Sequence, residues 1–448
     1  MYNIDFQNID MILIFIYLFI LLQVAFFAKI SKKNKISVSL FFLASYFIKI
    51  IMVFFFIDNA FYVLRYESLF SEYDATNYYM ETIYMVATQN SFIPKLHWSV
   101  ANPGFHYLLY WIGKVYTFFF HGIHLSYLHF IYFLIFIHTL TFFYMYIELE
   151  KRQQLSKVGV TALFLFTFFE PMMLRFAFSL EREIFVSFSL LIFIIGYMNN
   201  KRLIIILSAA VLIFFRDVYI YLIPTCFLAN FVYSKFFKGR FLLFLIIIII
   251  SFSMLINILA IYSEDLNSLF FHQVKEAGTS GIGDIILSIG YFLRIIIYSI
   301  LGFVAPIPIY PFFKSEYSSF YVLAFIMGLG SISYLFMSSY IIYYLHRINT
   351  YTKKYKKNIK NKLALYDPVY KAYIVIFMLH LAFHGLIFNV RHRLQIIPSL
   401  IYVFVYIINL QNYKEVIFFK ISLIKWLYMS VFTIFSLNIL YIIIKFYI

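Results

Sequence analysis

Apolar residues run along this chain in long blocks, separated by short polar connections. The blocks near 10–30, 36–57, 124–147, 158–175, 183–199, 203–215, 218–234, 241–262, 320–346, 370–388, 394–410 and 422–446 each read as a membrane-crossing helix. Many are long enough to cover a hydrocarbon core of ~30 Å, and a helix satisfies its own backbone there. Ten-residue segments of alternating polarity, the mark of a transmembrane β-barrel, do not occur. The pattern predicts an all-α, polytopic transmembrane helix bundle of about twelve spans.

Composition agrees, with 64% apolar and 12% charged residues. The formal charge of +16 matters here for its placement. With SKKNK (31–35) on the cytoplasmic side, the alternate connections 148–157, 199–202, 235–240, 347–369 and 411–421 are cytoplasmic too, and every one carries Lys or Arg. That satisfies the positive-inside rule, so the charge is assigned to the membrane rather than to nucleic acid. Both termini then face outward. The opening MYNIDFQNID has two aspartates and no Lys or Arg, unlike the basic start of a signal peptide. The single cysteine, Cys226, falls inside an apolar block, which excludes an internal disulfide and a cysteine metal cluster.

Two apolar stretches, 104–120 and 285–305, break this alternation if either crosses alone. They are read as helices lying along the outer interface, with Lys114 and Arg294 reaching toward headgroups. The chain is then one multispan domain, 1–448, with two long outer loops (58–123 and 263–319) and a basic cytoplasmic loop (347–369). Loops of that length in a compact protein are usually functional or disordered.

Arg175, Arg182, Arg216, Arg391 and Arg393 break the positive-inside rule: all fall at outer ends of spans, in the turns FAFSLER, RD and NVRHR. All five are Arg although Lys is common elsewhere in the chain. The planar, permanently charged guanidinium fork matches phosphate. Arg175, Ser179 and Arg182 are spaced to share one face if that turn is helical. In NVRHR the i, i+2 spacing would send the two guanidiniums to opposite sides of a helix, and Pro398 fits a helix beginning near 395–397. Two interpretations remain open: local pairing with Glu181, Glu183 or Asp217, or a shared anion site.

On the first outer loop, Asp74, Tyr78 and Glu81 share a helical face, with Glu72 just before. A carboxylate there is a candidate general base for a sugar hydroxyl, Asp74 first and Glu72 in reserve. His380 and His384 have i, i+4 spacing, but no third ligand or His-Glu-x-x-His pattern accompanies them, so no metal and no other cofactor is expected. They are read as lining a cavity below Arg391. His392 lies within NVRHR, and His272 and Lys275 in the second outer loop could reach a bound headgroup.

The order of these features resembles a known pattern. YDATNYY followed by the run NPGFHYLLYW is similar to the multispan GT-C glycosyltransferases. FSLEREIFVSF, FFRDVYIYLIP, APIPIYP and RHRLQIIPSLI resemble the O-antigen and capsule repeat-unit polymerases of the Wzy type. The resemblance runs through most of 36–410; Arg182-Glu183 and Arg216-Asp217 stand where related chains often carry Lys-Asp or Lys-Glu and Arg-Pro. It implies a GT-C-like bundle in the bacterial inner membrane with its active face periplasmic. The substrates would be undecaprenyl-pyrophosphate-linked glycans, and a chain-length regulator and a flippase would be the protein partners. The acceptor hydroxyl would attack the donor's anomeric carbon while lipid pyrophosphate leaves. The five arginines would stabilise that leaving group, with Tyr78, His272, Lys275, His384 and His392 contacting substrate. The alternatives are a GT-C transferase of single sugars and a lipid-linked oligosaccharide flippase.

Overall fold

The computed structural model describes residues 8–28, 30, 32–64, 73–96, 103–120, 125–152, 155–262, 291–304, 318–354, 366–386, 390–412 and 423–447. Among them all regular structure is helical, with no strand. The helices are α1 (Asn8–Phe27), α2 (Lys32–Leu64), α3 (Tyr73–Thr88), α4 (Gly104–Phe119), α5 (Tyr127–Arg152), α6 (Lys157–Phe169), α7 (Pro171–Ala177), α8 (Glu183–Met198), α9 (Arg202–Phe215), α10 (Tyr219–Val232), α11 (Phe241–Tyr262), α12 (Tyr291–Leu301), α13 (Ser318–Lys354), α14 (Asp367–His380), α15 (Ile397–Asn412) and α16 (Leu423–Tyr447).

Five of the described helices contain stretches long and apolar enough to cross a membrane: Asp10–Phe27, Asn34–Val53, Tyr127–Lys151, Tyr219–Phe237 and Leu423–Leu440. Shorter apolar helices accompany them. Large apolar side chains face outward, among them Phe15, Phe19 and Phe26 on α1 and Phe432 and Phe435 on α16. An apolar exterior of this extent suits lipid as the surrounding medium.

The chain forms two compact units. The first comprises 1–192, 206–217 and 315–323; the second comprises 193–205, 218–314 and 324–448. In the first unit α1 runs parallel to α5, because Asp10 meets His129 at 3.3 Å while Tyr17 stacks on Phe136 at 5.0 Å. Helix α2 runs antiparallel to α5, since Phe42 meets Phe143 at 4.8 Å and Lys49 meets His138 at 3.0 Å. Helices α2 and α5 thus pair as consecutive antiparallel helices do, and α3 and α4 together add no net reversal between them. In the second unit α14 is antiparallel to α10 (Cys226 to Val375, Tyr233 to Tyr370) and to α13 (Tyr334 to His380, Tyr370 to Leu345). Helices α10 and α13 thus run in the same sense, with α11 and α12 between them in sequence.

Helix α4 is bound to α3. The Lys114 ammonium donates to the Val86 carbonyl at 2.9 Å and to Asn90 Oδ1 at 2.8 Å. It caps the last turn of α3, where exposed carbonyls and the helix dipole attract a cation. The sequence expectation that Lys114 reaches to headgroups is corrected accordingly. Between the two helices, Trp111 donates to Phe92 O at 2.9 Å and Tyr110 to Ser91 O at 2.8 Å. The Arg294 side chain lies outside the described residues.

Several element ends follow local chemistry. The span expected at 158–175 is two helices, because the residue before a proline is pushed out of the helical region. Glu170 is extended there (φ −76°, ψ 106°), and its side chain accepts from Met173 N–H at 2.6 Å at the start of α7. After α8 the left-handed Asn200 (φ 54°) lets Lys201 N–H reach Gly196 O and Asn200 N–H reach Tyr197 O, a closed helix end. Beyond α14 the helix widens into a π turn at Leu381–Leu386, and a 3₁₀ turn at Val390–Gln395 precedes α15. Pro398 falls in the first turn of α15, as expected.

Candidate functional site

Two turns of α3, from Tyr78 to Met85, supply one buried face. Tyr78, Glu81, Thr82 and Met85 are all enclosed, so the shared face expected for Tyr78 and Glu81 is realised. Asp74 lies one turn before Tyr78 on the same helix, its side chain outside the described residues. Tyr79, on the neighbouring face, donates its hydroxyl to Leu125 O at 2.9 Å, and burial raises its pKa, which keeps it a donor.

Tyr78 packs edge-on against Phe105 at 4.8 Å and beside His106 at 4.7 Å, at the start of α4. That end of α4 is pressed against the last turn of α9: a Cβ at Gly104 would sit 2.0 Å from the Phe214 carbonyl oxygen. Only glycine permits this approach. Trp111, two turns on, stacks nearly parallel on the Phe214 ring at 6.3 Å. Phe105 continues the contact to Phe185 at 5.6 Å, and Phe185 to Phe215 at 5.6 Å. A seam of aromatic rings thus joins α3 to the ends of α8 and α9.

At the end of this seam two of the five arginines come together. Arg216 follows Phe215, and Arg182 precedes α8. Arg216 Nη2 lies 3.6 Å and Arg182 Nε 4.0 Å from the same oxygen, Glu183 Oε1. The Glu183 side chain is fully buried, while those of Arg182 and Arg216 retain 14% and 9% exposure. Both separations exceed a direct hydrogen bond of about 3.2 Å, so these two contacts are ion pairs. Glu183 is the first residue of α8, where a negative charge is favoured by the helix dipole. The turn is held separately: Tyr127 Oη accepts from Leu180 N–H at 2.9 Å and Ser179 donates to Glu181 at 3.0 Å. Helix α7 ends at Ala177, so Arg175, Ser179 and Arg182 do not share a helical face.

Arg393 and His384 belong to the second unit. Arg393 is fully buried; Nη1 donates to Ser331 Oγ at 3.0 Å, Nη2 donates to Gly302 O at 2.5 Å, and the guanidinium lies 4.6 Å from the centre of the Tyr334 ring. These contacts make it a core tie. His380 Nε2 meets Ser299 O at 2.9 Å and Nδ1 meets Tyr334 Oη at 2.8 Å. Because a carbonyl only accepts, Nε2 carries the proton and Nδ1 accepts from Tyr334. His384 Nδ1 donates to the His380 carbonyl at 3.1 Å, and the two rings stack at 4.5 Å. Among the described residues no group of three potential metal ligands occurs.

Arg175 lies in α7, and Arg391 and His392 in the 3₁₀ turn, with their side chains outside the described residues; Glu72, His272 and Lys275 lie outside them altogether. His106 and Lys49 are among the buried polar groups that the sequence pattern left unmarked. His106 sits within an apolar run that reads as packing. Lys49 interrupts a span at its middle, a position where an ionisable residue is itself a signal. Neither known family models, nor curated proteins, nor solved structures match this chain.

Proposed function

We propose that this protein is a membrane glycosyltransferase that joins oligosaccharide repeat units carried on polyprenyl diphosphate at the outer face of the plasma membrane. The observation that carries this reading is the meeting of Arg182 and Arg216, from two separate turns, at the buried Glu183 carboxylate. Guanidiniums gathered at one point suit the charge that develops on a departing diphosphate. The aromatic seam brings the Tyr78 face of α3, and with it the helix bearing Asp74, toward these cations.

In this reaction the acceptor hydroxyl oxygen bonds to the donor's anomeric carbon as the bond from that carbon to the diphosphate oxygen breaks. The diphosphate leaves with the electron pair, and the hydroxyl proton passes to the Asp74 carboxylate. The helix directions support the sidedness this requires. Parallel α1 and α5, and α10 and α13 running in one sense, fit α4 and α12 as helices that do not cross singly. Lys238 and Asp367, both assigned to cytoplasmic connections, lie 4.0 Å apart.

The test is the glycolipid profile of cells carrying Arg216→Ala or Asp74→Ala at normal protein level. The expected result is single lipid-linked repeat units on the outer leaflet and no long chains; normal chain length in both variants overturns the proposal. A flippase is the second reading, favoured by Lys49 buried at the middle of a span. It requires the units to accumulate on the inner leaflet instead.

A further inference from the structure

We propose that Glu183 is a positioning residue that sets the strength of the diphosphate grip. It draws Arg182 and Arg216 to one point, and its fixed charge beside them keeps the bound diphosphate loose enough to leave. This rests on the reading that these two arginines hold a diphosphate, and not on polymerisation itself.

Two guanidiniums converging in a largely enclosed place repel each other unless an anion lies between them. Glu183 supplies that anion from the first residue of α8, a rigid point of attachment. Its oxygen stands 3.6 and 4.0 Å from the two cations, near enough to attract both. A guanidinium presents five N–H donors in a planar fork, a geometry that matches phosphate oxygens. The carboxylate and the two guanidiniums together leave a single positive charge, against the two or three negative charges of a diphosphate. A site with the two arginines alone would bind the product more tightly and release it more slowly. Removing the side chain would instead let the arginines part.

The two substitutions therefore have opposite signs. Glu183→Gln keeps the volume and one carbonyl oxygen that accepts from the guanidiniums, and removes the charge. Glu183→Ala removes both. The test is binding of inorganic pyrophosphate to the purified full chain in lipid nanodiscs, with thermal midpoints as the control for folding. Glu183→Gln is expected to bind at least five-fold more tightly than the wild type, and Glu183→Ala and Arg216→Ala at least five-fold more weakly. Glu183→Asp, which keeps the charge but withdraws it by one methylene, is expected to bind several-fold more weakly and serves where the neutral variant does not fold. Should Glu183→Gln bind no better than the wild type while Arg216→Ala weakens binding, Glu183 is a structural partner only and the proposal falls, with the anion site intact. If the wild type and Arg216→Ala bind alike, or neither binds, the diphosphate reading itself fails and takes this inference with it.

Discussion

The Lys49 Nζ lies 3.0 Å from His138 Nδ1, with both side chains fully buried between α2 and α5. Thr139 Oγ1 is its other hydrogen-bond partner, at 3.4 Å, and the Phe168 ring lies 6.0 Å away. The imidazole nitrogen accepts from the amine, which ties the two helices at mid-span. Breaking such a buried pair leaves one polar group stranded, whereas replacing both partners by apolar groups of similar volume removes the desolvation penalty along with the bond. His138→Leu is expected to destabilise the protein by about 3 kcal/mol, and Lys49→Met with His138→Leu to recover most of that loss. Thermal unfolding in detergent measures both; a double variant no more stable than the single one contradicts the account.

Gly104 bears on the site through its backbone. Gly104→Ala places a methyl against the Phe214 carbonyl, 2.0 Å away where van der Waals contact needs well over 3 Å, and α4 must move off α9. Overpacking of this kind costs about 1–3 kcal/mol. Since α4 carries the rings that pack on Tyr78 and this contact sets it against the helix preceding Arg216, the proposed function predicts that polymer length falls by more than the loss of folded protein explains. Glycolipid profiles normalised to protein level check this.

Arg393 separates a core role from a substrate role. Arg393→Lys cannot reach Ser331 Oγ and Gly302 O together, because an ammonium is a point donor rather than a fork. The expected result is a lower thermal midpoint, with pyrophosphate affinity of the folded fraction unchanged. A loss of affinity at an unchanged midpoint would restore Arg393 to the anion site.

Sidedness has its own measurement. Ile93, 63% exposed at the tip between α3 and α4, is expected to face outward, and Lys238 inward. A cysteine at 93 should react with an impermeant maleimide on intact spheroplasts, and one at 238 only after permeabilisation. The native Cys226 is buried and should stay silent in both. Labelling of position 93 only after permeabilisation inverts the topology.

Much of the candidate site was legible before the structure, for specific reasons. The Tyr78 and Glu81 face follows from helical spacing alone, and Pro398 marks the start of α15 because proline suits only a first turn. Arginine in turns that the charge pattern assigns to the outer side departs from a general rule and so stands out. The spacing of Arg175 to Arg182 misled, because helical periodicity was extended past Ala177 into a turn held by Ser179, Leu180 and Tyr127. The break at Glu170 could have been read from the proline that follows it.

Composition and periodicity by themselves determined that this chain is helical and apolar on its outside, since both depend only on which residues recur and how often. They also marked the arginines as unusual. Which cations meet, and which are walled into the core, was decided by tertiary structure alone. Arg216 reaches Glu183 because α9 ends beside the start of α8, whereas Arg393 is closed in by Ser331, Gly302 and Tyr334. A guanidinium has the same charge in either setting; its partners are set by packing between segments far apart in the chain, and no local pattern records them.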